Sequence, residues 1–347
     1  MFRFVEDLSE EKAKRLYEQL KKIDPVRVNK LYVDSTRTKE VTEGKLEPVK
    51  TVQVLANAKT TDVEGWGRTG MRAIADGKVA VIIMAGGQGT RLGFDRPKGE
   101  YNIKLPSDKC IFQLQAERIL KLERLALNSS DGKKSPRIML YLMTSPMTHE
   151  PTVQNWKEKN YYGMKKENVF FFQQGTLPCL TKDGKIMLES SSKVAMAPDG
   201  NGGIYLALHK SGAIEDMKSK GIQCIYTGAI DNAVSKVGDP VFIGYCLSKN
   251  ADVGNKVCTK CGPHEKVGIQ VLRDGVPAVV EYSDLDPKIA ELRNSDGSLV
   301  FSAGNVCMHY YSFDFLAETC HPSKLPSEYH VAKKKIPYVS FFFLPYY

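Results

Sequence analysis

The run Val79-Ala80-Val81-Ile82-Ile83 holds no polar residue and stops abruptly at Met84-Ala85-Gly86-Gly87-Gln88-Gly89. Nothing in it alternates, so a strand built from it needs cover on both faces, as in a parallel sheet between helix layers. Similar runs at 137–143, 169–172 and 222–230 predict further buried strands, and 110–127 and 203–220 read as helices. This β-α-β rhythm predicts an α/β fold, a Rossmann-like, doubly wound and mostly parallel sheet. Strand-rich segments follow at 267–272, 276–282 and 299–311. Upstream, residues 8–22 read as an amphipathic helix with Ser9 as N-cap, 33–50 as a polar helical or irregular stretch, and Gly65–Asp76 as another helix. The expected organisation is an N-terminal helical extension over 1–77, a catalytic domain over 78–339 and an atypical apolar tail over 340–347.

The loop after the first strand carries four glycines (Gly86, Gly87, Gly89, Gly93) and three cations (Arg91, Arg96, Lys98). Glycines remove the Cβ atoms that keep a ligand off the backbone, so N–H groups converge on phosphate oxygens while Arg and Lys neutralise charge. Two familiar phosphate loops fail on spacing. A Walker loop needs glycine where Phe94 stands, and a dinucleotide fingerprint needs glycine or alanine where Leu92 stands. A plain glycine-rich turn is the bland alternative.

Residues 85–93 with Pro97-Lys98-Gly99 resemble the signature loop of sugar-nucleotide pyrophosphorylases, in the form of the eukaryotic UDP-N-acetylhexosamine pyrophosphorylase branch. Further matching blocks are Leu105-Pro106-Ser107, Phe112–Arg118, Phe172-Gln173-Gln174-Gly175, Ala197–Gly203, Val280-Glu281-Tyr282-Ser283 and Ala303-Gly304-Asn305. The resemblance implies uridylyl transfer from UTP to N-acetylglucosamine 1-phosphate with Mg2+. Alternatives are a pyrophosphorylase for another UDP-sugar, or a UTP-binding fragment of weak or no activity. The latter follows because the family continues beyond Val339, with more of the sugar pocket, a basic residue near the phosphates and a C-terminal domain. The chain is therefore expected to be truncated relative to the family.

Such a transfer needs no general base, because the attacking phosphate oxygen is already ionised. It needs alignment and charge neutralisation. Arg91, gripping the leaving pyrophosphate, and Lys98, a point charge on the α-phosphate, are the catalytic candidates. Asp231 ends the apolar run 222–230 and is the candidate magnesium ligand, with a capping or turn aspartate as the alternative. The resemblance implies a nucleotide-binding set of Met84, Ala85, Gly86, Gly87, Lys98, Gln174, Gly200 and Asp231. The Gln174 amide both donates and accepts, as a uracil edge requires. The resemblance also places Asn201, Glu281, Tyr282 and Asn305 around the sugar. Read alone, 199–203 is a flexible loop before a helix, and Glu281-Tyr282 end an edge strand.

The net charge of +9 is dispersed, with Lys333-Lys334-Lys335 the longest basic run, so it suits anionic small substrates better than nucleic acid. No apolar stretch approaches the ~20 residues of a membrane span. The N-terminus lacks the apolar core of a secretory signal, so a cytoplasmic location is expected. Cys258, Cys261 and His264 lack a fourth zinc ligand, and free thiols in a loop are expected there. Monomer and homodimer are both left open.

Overall fold

The computed structural model describes residues 5–36, 44–130, 134–325, 331 and 336. The expected tail at 340–347 and the lysine run at 333–335 lie outside the described residues. In chain order the helices are α1 (Glu10–Leu20), α2 (Pro25–Thr36), α3 (Thr60–Ala75), α4 (Ile111–Ser129), α5 (His149–Glu158), α6 (Gly203–Lys210), α7 (Ala213–Ser219), α8 (Pro240–Ser248), α9 (Pro287–Ala290) and α10 (Phe313–Thr319). The strands are β1 (Leu46–Pro48), β2 (Val79–Met84), β3 (Ile138–Thr144), β4 (Val169–Gln173), β5 (Thr176–Pro178), β6 (Leu188–Ser190), β7 (Lys193–Val194), β8 (Met196–Pro198), β9 (Cys224–Ala229), β10 (Val253–Thr259), β11 (Ile269–Arg273), β12 (Val276–Val280) and β13 (Ala303–Ser312). None of the described helices is long and apolar enough to cross a membrane.

Chain contacts divide these elements into two units. The smaller takes its described residues from 1–38, 175–203 and 325–347. In it Leu16 of α1 is buried with Leu188 and Val194, and the Val194 N–H donates to Gln19 Oε1 at 2.9 Å. Ser9 occupies the N-cap position of α1, but its side chain makes no capping bond. The larger unit spans 39–174 and 204–324. This division differs from the expected boundary at 77/78. Helix α3 belongs with the main sheet because it crosses α8 at backbone contact. A Cβ at Gly70 would strike the Pro240 carbonyl, and one at Gly244 the Trp66 carbonyl.

The larger unit is built on one nine-stranded mixed sheet, ordered β1-β11-β13-β9-β2-β3-β4, with β12 beside β11 and β10 beside β13. Strands β9, β2, β3 and β4 are parallel, and the remaining pairs are antiparallel. The period of two along each parallel strand divides its side chains between two cores. Val79, Val81, Ile138, Leu140 and Leu142 pack with residues of α3, α4 and α8. Ala80, Ile82, Met139 and Tyr141 pack with residues of α6, α7 and α10. Helices therefore cover both faces, which is the doubly wound arrangement, and the chain belongs to the α/β class.

Several expected elements differ. The single helix over 203–220 is two, because Gly212 takes the left-handed conformation (φ +77°) between α6 and α7. The polar stretch at 33–50 holds the end of α2 and strand β1, which pairs antiparallel with β11. Cys258 lies on β10 rather than in a loop, and Cys261 follows in a bend.

Candidate active site

The chain leaves β2 toward β3 and β4 on one side, while β9 lies on the other side of β2. The carboxyl end of β2 is thus the switch point at which open α/β sheets leave a crevice. Ala85 N–H donates to Met143 O (2.7 Å), Gln174 N–H to Thr144 O (2.9 Å) and Ile230 N–H to Met84 O (3.1 Å). These bonds tie the ends of β2, β3, β4 and β9 into one rim. Past Ala85 the ladder stops. Among the described residues, no backbone carbonyl takes the N–H groups of Gly86, Gly87 or Gln88. Donors left open at a strand end form a concavity suited to anions.

The loop then folds back on itself. Gly89 N–H donates to Arg96 O (3.0 Å), and Lys98 N–H to Gly87 O (3.0 Å). Gly89 is required here, since a Cβ on it would sit 2.9 Å from the Phe94 carbonyl. The reversal sets the Lys98 ammonium against Gly87 and 3.1 Å from Asp231 Oδ2. Asp231 itself stands in the turn two residues past β9. The pair is partly exposed, so it contributes little to stability. Its importance is placement, a cation and a carboxylate together at the mouth of the loop. Gln174 is only 8 % exposed, and its Oε1 lies against Gly86, where a Cβ would come within 3.0 Å. It is a buried amide facing the loop and not the surface residue its type suggests.

A second cluster occupies the antiparallel side of the same unit. Glu281 and Tyr282 stand in the turn just past β12 rather than on an edge strand, and Tyr282 is half-exposed. Asn305 is on β13, with its N–H donating to Gly268 O (2.7 Å) and its Oδ1 accepting from Cys307 N–H (3.2 Å). A bulge opposite Lys256/Val257 interrupts β13 there, and Cys307 is left-handed (φ +53°). Burial pushes the Cys307 thiol up, and the Glu281 and Asp231 carboxylates push it further the same way. That thiol thus lies in the field of both carboxylates, one from each cluster. Sequence reading passed over it, because a bulge has no local signature in residue types.

Gly200 and Asn201 belong to the smaller unit. Gly200 is left-handed (φ +87°), its carbonyl accepts from Gly203 N–H, and Asn201 is exposed. Thr90–Leu92 form a 3-10 turn that includes Arg91, whose side chain lies outside what the structure describes. Arg96 is engaged by a neighbouring carboxylate. Its Nε donates to Glu100 Oε2 at 2.7 Å, and its Nη2 lies 2.6 Å from the same oxygen in an ion pair. No group of three metal-ligating side chains occurs among the described residues. Asp231 offers one hard carboxylate, which fits a magnesium ion that takes its remaining oxygens from substrate phosphates and water.

The UTP–glucose-1-phosphate uridylyltransferase family pattern matches residues 26–340. A UDP-N-acetylhexosamine pyrophosphorylase-like protein 1 of Xenopus tropicalis is 41% identical over 98% of this chain and 68% of its own length. The UDP-N-acetylglucosamine diphosphorylase 2 of Arabidopsis thaliana is 41% identical over 98% of this chain and 69% of its own. Among solved structures, the uridine diphosphate N-acetylglucosamine pyrophosphorylase of Trypanosoma brucei superposes with a TM-score of 0.86 at 30% identity, covering 95% of this chain and 67% of that one.

Proposed function

The chain belongs to the UTP–glucose-1-phosphate uridylyltransferase family, and from that membership we propose that it makes UDP-N-acetylglucosamine and pyrophosphate from UTP and N-acetylglucosamine 1-phosphate. The observation that carries the reading is the folded-back loop, with open N–H donors at Gly86–Gln88 and Lys98 set beside Asp231 at 3.1 Å. An oxygen of the sugar phosphate attacks the α-phosphorus of UTP. A new P–O bond forms as the bond to the β-phosphate breaks, and pyrophosphate leaves with the electron pair. Both reactants are anions, so the barrier is dominated by crowded negative charge and by alignment.

In this reading Lys98 neutralises charge on the α-phosphate, and Arg91 grips the departing pyrophosphate. The backbone of Met84, Ala85, Gly86 and Gly87, with Gly200, lies along the nucleotide, and the Gln174 amide pairs with the uracil edge. Asn201, Glu281, Tyr282 and Asn305 hydrogen-bond the sugar. Magnesium, held by Asp231 and phosphate oxygens, supplies further charge neutralisation when bound. A cytoplasmic site of action belongs to the same proposal.

The test is pyrophosphate release with UTP and a panel of sugar 1-phosphates, N-acetylglucosamine 1-phosphate giving the highest kcat/KM. Lys98→Ala is expected to lower kcat by about 10²–10³-fold with an unchanged unfolding midpoint, and Asp231→Asn to raise the Mg2+ needed for half-activity. Near-normal turnover in the lysine variant removes Lys98 from the mechanism. UTP binding without turnover in the unaltered chain selects a nucleotide-binding role in place of catalysis.

A further inference from the structure

The loop that presents Lys98 is held from behind by an ion pair to which the transfer reaction assigns no task. Glu100 closes the 3-10 turn Lys98–Glu100, its N–H donating to Pro97 O at 2.9 Å. Its side chain folds back over that turn to Arg96, and one oxygen, Oε2, accepts from Nε and lies 2.6 Å from Nη2. The two partners differ sharply in environment. The Glu100 side chain is 6 % exposed and that of Arg96 56 %. The carboxylate is thus the buried anchor and the arginine the held group.

An ordinary surface pair four residues apart contributes little to stability. This one carries a cost that an ordinary pair does not. Glu100 Oε1 is buried without a hydrogen bond of ordinary geometry, although the Asn155 amide is near it, and burial raises the Glu100 carboxyl. Arg96 lowers it, and the Glu158 carboxylate on α5 raises it further. A buried oxygen left unpaired requires an explanation in geometry, since it costs stability. The geometry is that of the returning arm. Arg96 supplies the carbonyl that accepts Gly89 N–H, Pro97 follows it, and Lys98 N–H then reaches Gly87 O. On the far side Gly99 is pressed against the Phe112 ring so closely that a Cβ would overlap it.

We propose that Glu100 is a positioning residue. By fixing Arg96 it holds the arm Arg96-Pro97-Lys98 in the one path that keeps the Lys98 ammonium beside Gly87 and Asp231. The consequence for turnover rests on the function proposed above, whereas the holding of the arm does not.

Two measurements test it in the full chain. The first needs no substrate. Trypsin cuts after Lys98 only when the arm opens, so Glu100→Gln and Arg96→Met should each speed cleavage of the Lys98–Gly99 bond by about tenfold under native conditions, as opening follows the free energy of the local structure. Cleavage at other sites should stay unchanged. The second is a kinetic cycle. Glu100→Gln is expected to lower kcat on the order of tenfold, a loss typical of a catalytic group displaced by a fraction of an ångström, with KM for UTP little altered. The same substitution placed on Lys98→Ala should cost nothing more, because its effect passes through that lysine. Glu100→Asp should restore part of the loss. Unchanged Lys98–Gly99 cleavage in both single variants overturns the proposal. So do losses that multiply in the Lys98→Ala background. Absence of uridylyl transfer by the unaltered chain overturns the proposed function instead, and the proteolysis then decides the positioning role by itself.

Discussion

Gln174 is the residue at which type and surroundings diverge most. A glutamine at the end of an apolar strand is normally a solvated terminus, yet this one is buried with its amide on Gly86. A buried amide discriminates by leaving its own groups unpaired when the wrong base edge is offered. Gln174→Ala should therefore raise the Kd for UTP by about tenfold, or ~1.4 kcal/mol, and should narrow the preference for UTP over CTP, both readable by calorimetry. An unaltered preference would assign base reading to the backbone alone. Lys98 and Asp231 stand out as candidates on local chemistry, a cation closing a glycine loop and an acid ending an apolar run, but their pairing at 3.1 Å joins segments far apart in the chain. The ion pair of Arg96 was not legible, because it depends on a carboxylate four residues on, past a proline, whose burial is a tertiary fact.

At the scale of elements, the most demanding contact is the crossing of α3 and α8, where two glycines let backbones meet. Neither glycine is left-handed, so each is needed for space and not for conformational freedom. Gly244→Ala would drive a methyl group into the Trp66 carbonyl, a rigid neighbour that cannot rotate away. The expected cost is about 3 kcal/mol, at the upper end of core overpacking, read as a lower denaturant midpoint with unchanged m-value. A midpoint like that of the unaltered chain would mean the crossing is looser than described. The elements legible in advance were those with a continuous apolar signature, β2 above all, which covers the apolar run 79–83 and one residue more. Those missed are short or polar. Strand β1 has three residues, none buried, and β10 alternates too weakly to stand out from a loop. The break between α6 and α7 hinges on the backbone sign of Gly212, one glycine among several in the chain.

For the whole molecule, the parallel half of the sheet was foreseeable from rhythm, whereas in the antiparallel half strands β11, β12 and β13 were foreseeable and their pairing was not. Parallel strands repeat a local unit of strand, helix and strand. The pairing of β13 with β9, or β11 with β13, joins distant segments and leaves no periodic trace. The sheet nonetheless unites the loop at 86–98, Gln174 and Asp231 with Glu281 and Asn305 in one compact unit. Saturating nucleotide should then stabilise that unit as a body. UTP at a hundredfold excess over its Kd is worth about 2.7 kcal/mol by mass action, and should move the main calorimetric transition upward while ATP at equal concentration does not. Equal shifts from both nucleotides would point to phosphate binding without base recognition.

Strand β1 carries a further implication, in time rather than energy. Among the described residues its strand partner is β11, with Leu46 opposite Arg273 and Pro48 opposite Val271. A ribosome adding 5–20 residues each second completes the intervening chain of about 220 residues in roughly ten to forty-five seconds. Throughout that interval the segment leaves the exit tunnel with its edge uncommitted. Its own brevity, with Glu47 at the centre and Pro48 at the end, makes it a poor template for a stray strand. What looks like a trivial edge in the finished sheet is, on the nascent chain, a piece that has to wait long without sticking.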